Sequence, residues 1–311
     1  MRGTPPVDRA AEPHVVLGMG LRLFSALALA LMFAGVKWAG QHGVGVVEGL
    51  FYRQIGTMLC AAAWVAVGPG FASIRTRRFR AHAARMAIGL VAMGLNFLTM
   101  MLLPLAEATA IGFSVPIFAT LLAAIVLGEP TGRWRWGAVI VGFLGVLVVV
   151  QPGSGHIAAY GGLVAVGAAL CTAFATIAIR HLGATESAAT TVFWFGATSL
   201  VPLAVIMPFV AHVHTTGVWI EIAGFSLAGG IAQLALTGSL RLAPVSLVMP
   251  LDYFSLLWAT LLGLFLFGQA PSQWTWLGAP IVIASGLVIL WREHRLRITG
   301  NAVAAVPEVN E

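Results

Sequence analysis

The chain has 311 residues, of which 59% are hydrophobic and only 9% charged, with a formal net charge of +6 and a mean hydropathy of +0.94. Soluble domains carry about 25% charged and 45–50% apolar residues, so this chain cannot clothe itself for water, and lipid is the solvent its composition implies. The positive charge does not indicate nucleic acid, because the arginines sit in short loops between apolar runs and form no stripe interleaved with aromatics.

In chain order, a polar start (MRGTPPVDRAAEPH) precedes ten apolar runs near 17–39, 46–68, 85–104, 107–128, 136–152, 160–181, 189–210, 219–240, 245–267 and 275–292. Each approaches the roughly 20 residues needed to cross a hydrocarbon core of ~30 Å. The first run is too long for a cleaved signal peptide and lacks a small-residue cleavage site. Cys60 and Cys171 both lie inside apolar runs, so neither a disulfide framework nor a metal-ligand spacing is present. The closing NAVAAVPEVNE reads as a disordered tail.

Orientation follows from basic residues. The loop FASIRTRRFRAHAAR holds Arg75, Arg77, Arg78, Arg80 and Arg85 with no acid. Assigned to the cytoplasm, it places both termini inside and leaves only Lys37 and Arg53 of the 17 basic residues on the external side. The segments that become external (GQHGVG, QPGSGHIAAY, AHVHTTGVW, FGQAPSQ) contain no Lys or Arg.

The chain also repeats itself. At an offset of 140, Pro104 matches Pro244, the run Ala119 to Leu122 matches Ala259 to Leu262, Gly128 matches Gly268, and Trp134 and Trp136 match Trp274 and Trp276. After a one-residue insertion Gly145 matches Gly286, and at an offset of 143 Lys37 matches Arg180. Two five-helix units, 15–152 and 156–295, are therefore expected between tails 1–14 and 296–311. Five crossings are an odd number, so the second unit enters the membrane inverted. The loops carry charge to suit: GEPTGRWRW has Arg133 and Arg135 where GQAPSQWTW has Gln273 and Thr275, and LPLAEA has Glu107 where LRLAPV has Arg241. The predicted fold is all-α and integral to the membrane, with ten transmembrane helices as two inverted five-helix repeats, an architecture of secondary transporters.

These paired turns, each of LGE or FGQ type followed by Trp and a Gly-spaced last helix, resemble the drug/metabolite transporter superfamily in its EamA-type branch. The segment APVSLVMPLDYFSLLWATLLGLFLFGQAPS (243–272) is especially similar to the second repeat of bacterial members. The resemblance covers about residues 15–295 and implies an inner-membrane carrier for amino acids, vitamins, S-adenosylmethionine or another metabolite. The chain departs from many relatives at Gln269, where they carry Glu; the first copy keeps Glu129.

A charge at the bilayer centre costs ~2.5–3.5 kcal/mol on insertion scales, so each intramembrane charge requires a reason. Asp252, about 10 Å into the ninth run at the rise of an α-helix, follows Pro250 and neighbours Tyr253 and Ser255. It reads either as a cavity carboxylate for a cationic substrate group or coupling proton, or as one paired within the bundle to Arg241. Arg53 is either a clamp for a carboxylate or phosphate or a snorkelling cation. Glu48, five positions earlier, lies about 140° away around the helix and is poorly placed to pair with it. Lys37 ends the first helix and is a gate or site candidate; Arg180 is assigned a structural role at a helix C-terminus.

Asn96, Thr99, Ser114, Gln233 and Thr237 are uncharged polar residues that either line a cavity or join helices. Pro116, Pro250, Gly229 and Gly230 are hinge candidates. The stripe Ala26, Ala30, Ala34 suggests close helix packing, and Trp134, Trp136, Trp274 and Trp276 suggest interfacial anchors. His156, His212 and His214 read as solvated loop residues. Signatures such as HExxH, GxSxG, GxxxxGK[ST] and CxxC are missing, so an enzyme or an ATP-driven pump is not expected. No cofactor, metal or obligate protein partner is expected either; the partners are the lipid bilayer and a small-molecule solute. The reading is a secondary carrier for a small polar or amphipathic metabolite, amino-acid-like or another organic solute, with export as one direction open to it and a cavity walled by helices one, three, four, six, eight and nine. The alternatives are uptake of a heterocyclic nutrient such as riboflavin or S-adenosylmethionine and, in another class, a membrane-embedded enzyme or lipid-handling protein.

Overall fold

A computed structural model describes residues 12–68, 70–126, 133–151, 158–183, 185–186, 188–243 and 248–304. Among these, every regular element is helical: α1 Glu12–Gln41, α2 Val46–Val67, α3 Phe79–Leu102, α4 Leu105–Gly112, α5 Val115–Val126, α6 Arg133–Val150, α7 Ala159–Gly183, α8 Ala188–Val210, α9 Thr216–Leu242, α10 Phe254–Phe267 and α11 Gln273–Ala304. Short 3₁₀ turns occupy Phe71–Ile74 and Met249–Tyr253. Among the described residues eight segments are long and apolar enough to cross a membrane, and Trp136–Val150 and Leu251–Phe267 are shorter apolar helices. The outer surface agrees with a lipid solvent, because large apolar side chains such as Leu163, Val205, Phe209 and Phe265 are exposed.

Several predicted boundaries move. The third helix starts at Phe79 rather than 85, and the last runs to Ala304 rather than 292, so the first residues of the NAVAAVPEVNE tail are helical. Two predicted spans are broken. The fourth is divided at Phe113 and Ser114 into α4 and α5. Pro116 explains part of this: it lacks an N–H and occupies the first turn of α5, where no intrahelical donor is needed. The described part of the ninth span begins as the 3₁₀ turn containing Pro250 and becomes α-helical at Phe254. Gly229 and Gly230, by contrast, lie in the uninterrupted α9.

α1 packs along α9, α3 along α7, α2 against α8 and α9, and α6 against α11. Looser contacts join α1 to α10, α5 to α7 and α4 to α10. Small residues permit the close crossings, as expected where lipid tails remove any hydrophobic advantage to association. A Cβ on Gly56 would stand 2.5 Å from the Ser226 carbonyl oxygen, and one on Gly278 would stand 2.7 Å from that of Gly145. Ala26, Ala30 and Ala34 are buried in α1. Gly268 ends α10 with φ +63°, a left-handed helix cap that a side chain would strain. Trp134 and Trp276 are exposed, which suits interfacial anchors.

Candidate functional site

A cavity of about 320 Å³ lies where the two broken spans meet α1, α3, α7 and α9. Its apolar walls include Ala26, Leu29, Ala30, Phe33, Met100, Phe113 and Leu236, and its polar groups are Asn96, Thr109, Thr172, Asp252 and Ser255. These residues come from the first, third, fourth, sixth, eighth and ninth predicted spans. A few convergent polar groups on an apolar wall are the usual make-up of a small-molecule site, and the volume falls at the lower end of the usual range.

Asp252 anchors one end. Its carboxylate accepts two hydrogen bonds from the Arg22 guanidinium, through Nε and Nη2. Arg22 is buried, whereas the Asp252 side chain keeps 40% of its surface open. A bidentate fork of this kind neutralises both charges and fixes their orientation, while a carboxylate still has lone pairs to offer a ligand. Among the described residues the partner of Asp252 is Arg22 on α1; Arg241 is the partner considered from sequence. The side chain of Arg241 lies outside the described residues.

On the side wall, the Asn96 amide donates to the Ala92 carbonyl (2.7 Å) and to Thr172 Oγ1 (3.0 Å), a link between α3 and α7. Thr172 and Thr109 return their hydroxyl protons to carbonyls four residues earlier. Both hydroxyls therefore present acceptor lone pairs. At the broken spans, Phe113 and Tyr253 meet edge to face with centroids 4.9 Å apart. The Tyr253 hydroxyl lies so close to Gly286 that a Cβ there would stand 2.3 Å from it. Ser114 is fully buried and donates to the Ile111 carbonyl (2.7 Å), closing the end of α4 without entering the cavity lining.

Lys37 lies outside the cavity lining, one turn beyond Phe33 on α1. Its ammonium donates to the carbonyls of Met100 (3.2 Å) and Leu103 (2.5 Å), the orphan acceptors at the end of α3. It also lies 5.7 Å from the Phe267 ring centroid. Nearby, the buried Glu107 accepts the backbone N–H of Ser272 (3.0 Å) and ties α4 to the turn before α11. Arg53 and Gln233 lie outside the cavity lining. Arg53 is buried between α2 and α9, with Nη1 donating to Gln54 Oε1 (2.6 Å), so it does not snorkel. Glu48 turns away from Arg53 and accepts from His214 Nε2 (2.9 Å). His214 is therefore buried, a correction to its reading as a solvated loop residue. His212 is 70% exposed, and His156 lies outside the described residues. Among the described residues no group of three or more His, Cys, Asp or Glu is placed to hold a metal.

Sequence reasoning missed Arg22, Phe33, Phe113, Thr109 and Thr172. Arg22 did carry a signal, as a charge inside a predicted span that needs a partner at its own depth. The two phenylalanines carried none, because an aromatic in an apolar run looks alike whether it faces lipid or cavity.

Comparison with known proteins places this geometry. The chain is 29% identical over 300 residues to a riboflavin transporter of Rhizobium johnstonii, covering 95% of this chain and 98% of the relative. It is 28% identical over 197 residues to an S-adenosylmethionine uptake transporter of Rickettsia bellii, covering 62% of this chain and 66% of the relative. One solved crystal structure shares the fold with a TM-score of 0.61 at 19% identity, covering 92% of this chain and 99% of that one. The model of the EamA-like transporter family matches twice, over residues 16–151 and 159–291. A multi-pass membrane chain that holds a small central cavity, it is a transporter rather than an enzyme, and it belongs to the EamA-like transporter family.

Proposed function

We propose that the chain is a secondary carrier that takes up an amphipathic heterocyclic nutrient of the riboflavin type by alternating access. The supporting observation is the cavity itself. Phe33 and Phe113 offer ring faces and edges to a planar heterocycle, and Asn96, Thr109, Thr172 and Asp252 offer acceptors to the hydroxyl groups of a polyol side chain. The similarity to a riboflavin transporter along nearly the whole of both chains favours this substrate over the amino-acid-like one, and the similarity to an S-adenosylmethionine uptake transporter favours uptake over export. A second reading, an S-adenosylmethionine-like cation, draws on the half-open carboxylate of Asp252, which would exchange Arg22 for a cationic group of the substrate.

The proposed mechanism rests on two five-helix units, 15–152 and 156–295, inserted with opposite polarity as ten crossings with both termini cytoplasmic. The packing is what such a pair would produce. Exchanging the units turns the α1 with α9 contact into α7 with α3, and the α1 with α10 contact into α7 with α5, while α2 with α8 and α6 with α11 map onto themselves. The cavity then opens to the cytoplasm when the Arg22 to Asp252 fork separates. It opens outward when Lys37 leaves the end of α3. Substrate that engages Asp252 releases Arg22 at lower cost than an empty site does, because the carboxylate is then not left bare in a low dielectric. Binding and opening are thereby coupled.

The test is uptake of radiolabelled riboflavin into proteoliposomes holding the purified chain, with unlabelled riboflavin and S-adenosylmethionine as competitors. Saturable uptake blocked by riboflavin supports the first reading, and block by S-adenosylmethionine alone supports the second. Separately, impermeant thiol labelling of Arg77→Cys and Gln273→Cys is expected from opposite membrane faces; labelling from one face would end the inverted topology.

A further inference from the structure

Away from the central cavity, two buried arginines, Arg53 on α2 and Arg85 on α3, have no ion-pair partner among the described residues. Arg53 is 2% exposed and Arg85 9% exposed, and α8 borders both positions: Phe195 lies against Arg85, and Gly196 packs by Gln54, the neighbour of Arg53. The nearest carboxylates are committed elsewhere: Glu48 to His214 (2.9 Å), and Glu186 to the Thr76 hydroxyl (2.7 Å). Among the described residues neither arginine forms an ion pair. Two like charges buried without a counter-charge are what a low-dielectric interior tolerates least.

The unpartnered groups of Arg53, Gln54 and Arg85 have one sign. Arg53 Nε, Gln54 Nε2, and Arg85 Nε and Nη1 are buried donors without a partner. Gln54 is oriented by the bond its Oε1 accepts from Arg53 Nη1, which leaves its amide N–H groups free. One face of Arg85 is covered by the Phe195 ring at 3.8 Å, so its ligands must approach in the guanidinium plane. Glycines let both guanidinium groups sit against helix backbone: a Cβ on Gly89 would stand 2.7 Å from Arg85 Nη1, and one on Gly229 would stand 3.4 Å from Arg53 Nε. α8 seals the group, since a Cβ on Gly196, next to Phe195, would stand 3.7 Å from the Gln54 carbonyl oxygen. Four unpartnered N–H donors with a net positive charge are satisfied together by an acceptor that is negative and small.

We propose that Arg53, Gln54 and Arg85 form a buried binding site for a small monovalent anion of chloride size, separate from the transport cavity. The anion joins α2, α3 and α8, and its release would loosen that contact. The site stands on its own donors and does not depend on which solute the carrier moves.

The test uses the full chain purified in detergent. Its thermal unfolding midpoint is followed while chloride replaces gluconate, which is too large to enter, at constant ionic strength. The expected result is a saturable rise on the order of 5 °C, lost in the Arg53→Met/Arg85→Met double variant and weakened in Gln54→Leu, which retains both cations. The double variant is expected to fold without chloride, because it removes two uncompensated charges. A midpoint indifferent to chloride overturns the proposal, as does a chloride response that survives in the double variant. So does a rise that follows anionic lipid in the micelle and not chloride, since the site would then hold a headgroup. Bromide is the second readout: a crystal grown in it is expected to show an anomalous peak within hydrogen-bond reach of both guanidinium groups, and a peak absent there counts against the site.

Discussion

Arg22 on α1 and Asp252 in the 3₁₀ turn before α10, 230 residues apart in sequence, share a two-bond fork at one end of the central cavity. Arg22 is buried and Asp252 half-open, so the pair is both a closure between two helices and a binding group with free lone pairs. Removing either partner alone leaves the other charge uncompensated, at a cost of about 3–5 kcal/mol where burial is complete. Asp252→Asn is expected to reduce uptake at least tenfold and to lower the unfolding midpoint. Arg22→Met combined with Asp252→Asn is expected to recover the midpoint without recovering uptake. A double variant that transports normally would remove Asp252 from the site.

Phe113 faces the cavity and meets the ring of Tyr253. An aromatic pair contributes about 0.5–1.5 kcal/mol beyond its area, and a stacked heterocycle adds a similar amount. Phe113→Ala is therefore expected to raise the KM for uptake about tenfold with a smaller change in maximal rate, and Phe113→Tyr to stay near the parent. Kinetics in proteoliposomes separate the two quantities.

Lys37 holds two carbonyls at the end of α3. A charged hydrogen bond of this kind contributes about 1.5–3 kcal/mol, and the cation also suits the negative end of the helix dipole. Lys37→Met is expected to destabilise the protein by about that amount while increasing thiol access to the cavity from the external side. Lys37→Arg is expected to behave like the parent in stability. Midpoints and labelling rates check both.

The sequence made the architecture legible because two of its signals are additive. Hydropathy accumulates over some twenty residues, and the repeat accumulates over matched pairs such as Trp134 with Trp274, so single ambiguities average out. The breaks were harder to see. Pro116 and Pro250 marked them, but a proline in an apolar run fits an unbroken span equally well when neighbouring helices satisfy the freed carbonyls. The site was legible in part where a charge stood alone: Asp252 lines the cavity, while Lys37 lies outside its lining at the end of α3. It was illegible where identity depended on rotation about a helix axis, as for Phe33, Phe113 and Thr172. Arg22 fell between these cases. Its depth, about five residues into the first span, nearly equals that of Asp252 in the ninth, and both spans start from the same membrane face in the predicted topology. Glu48 and His214 show the opposite failure, since nothing local to AHVHTTGVW distinguishes a buried histidine from its exposed neighbour.

The most direct test of the transport account is the reactivity of Ser255→Cys, a cavity position of nearly unchanged size, in a background with Cys60→Ser and Cys171→Ser. In sealed proteoliposomes of known orientation, an impermeant thiol reagent is expected to modify it from each face in separate experiments, and riboflavin is expected to slow both reactions. Modification from one face alone, or from both without any protection by substrate, would contradict a central cavity that opens alternately to the two sides.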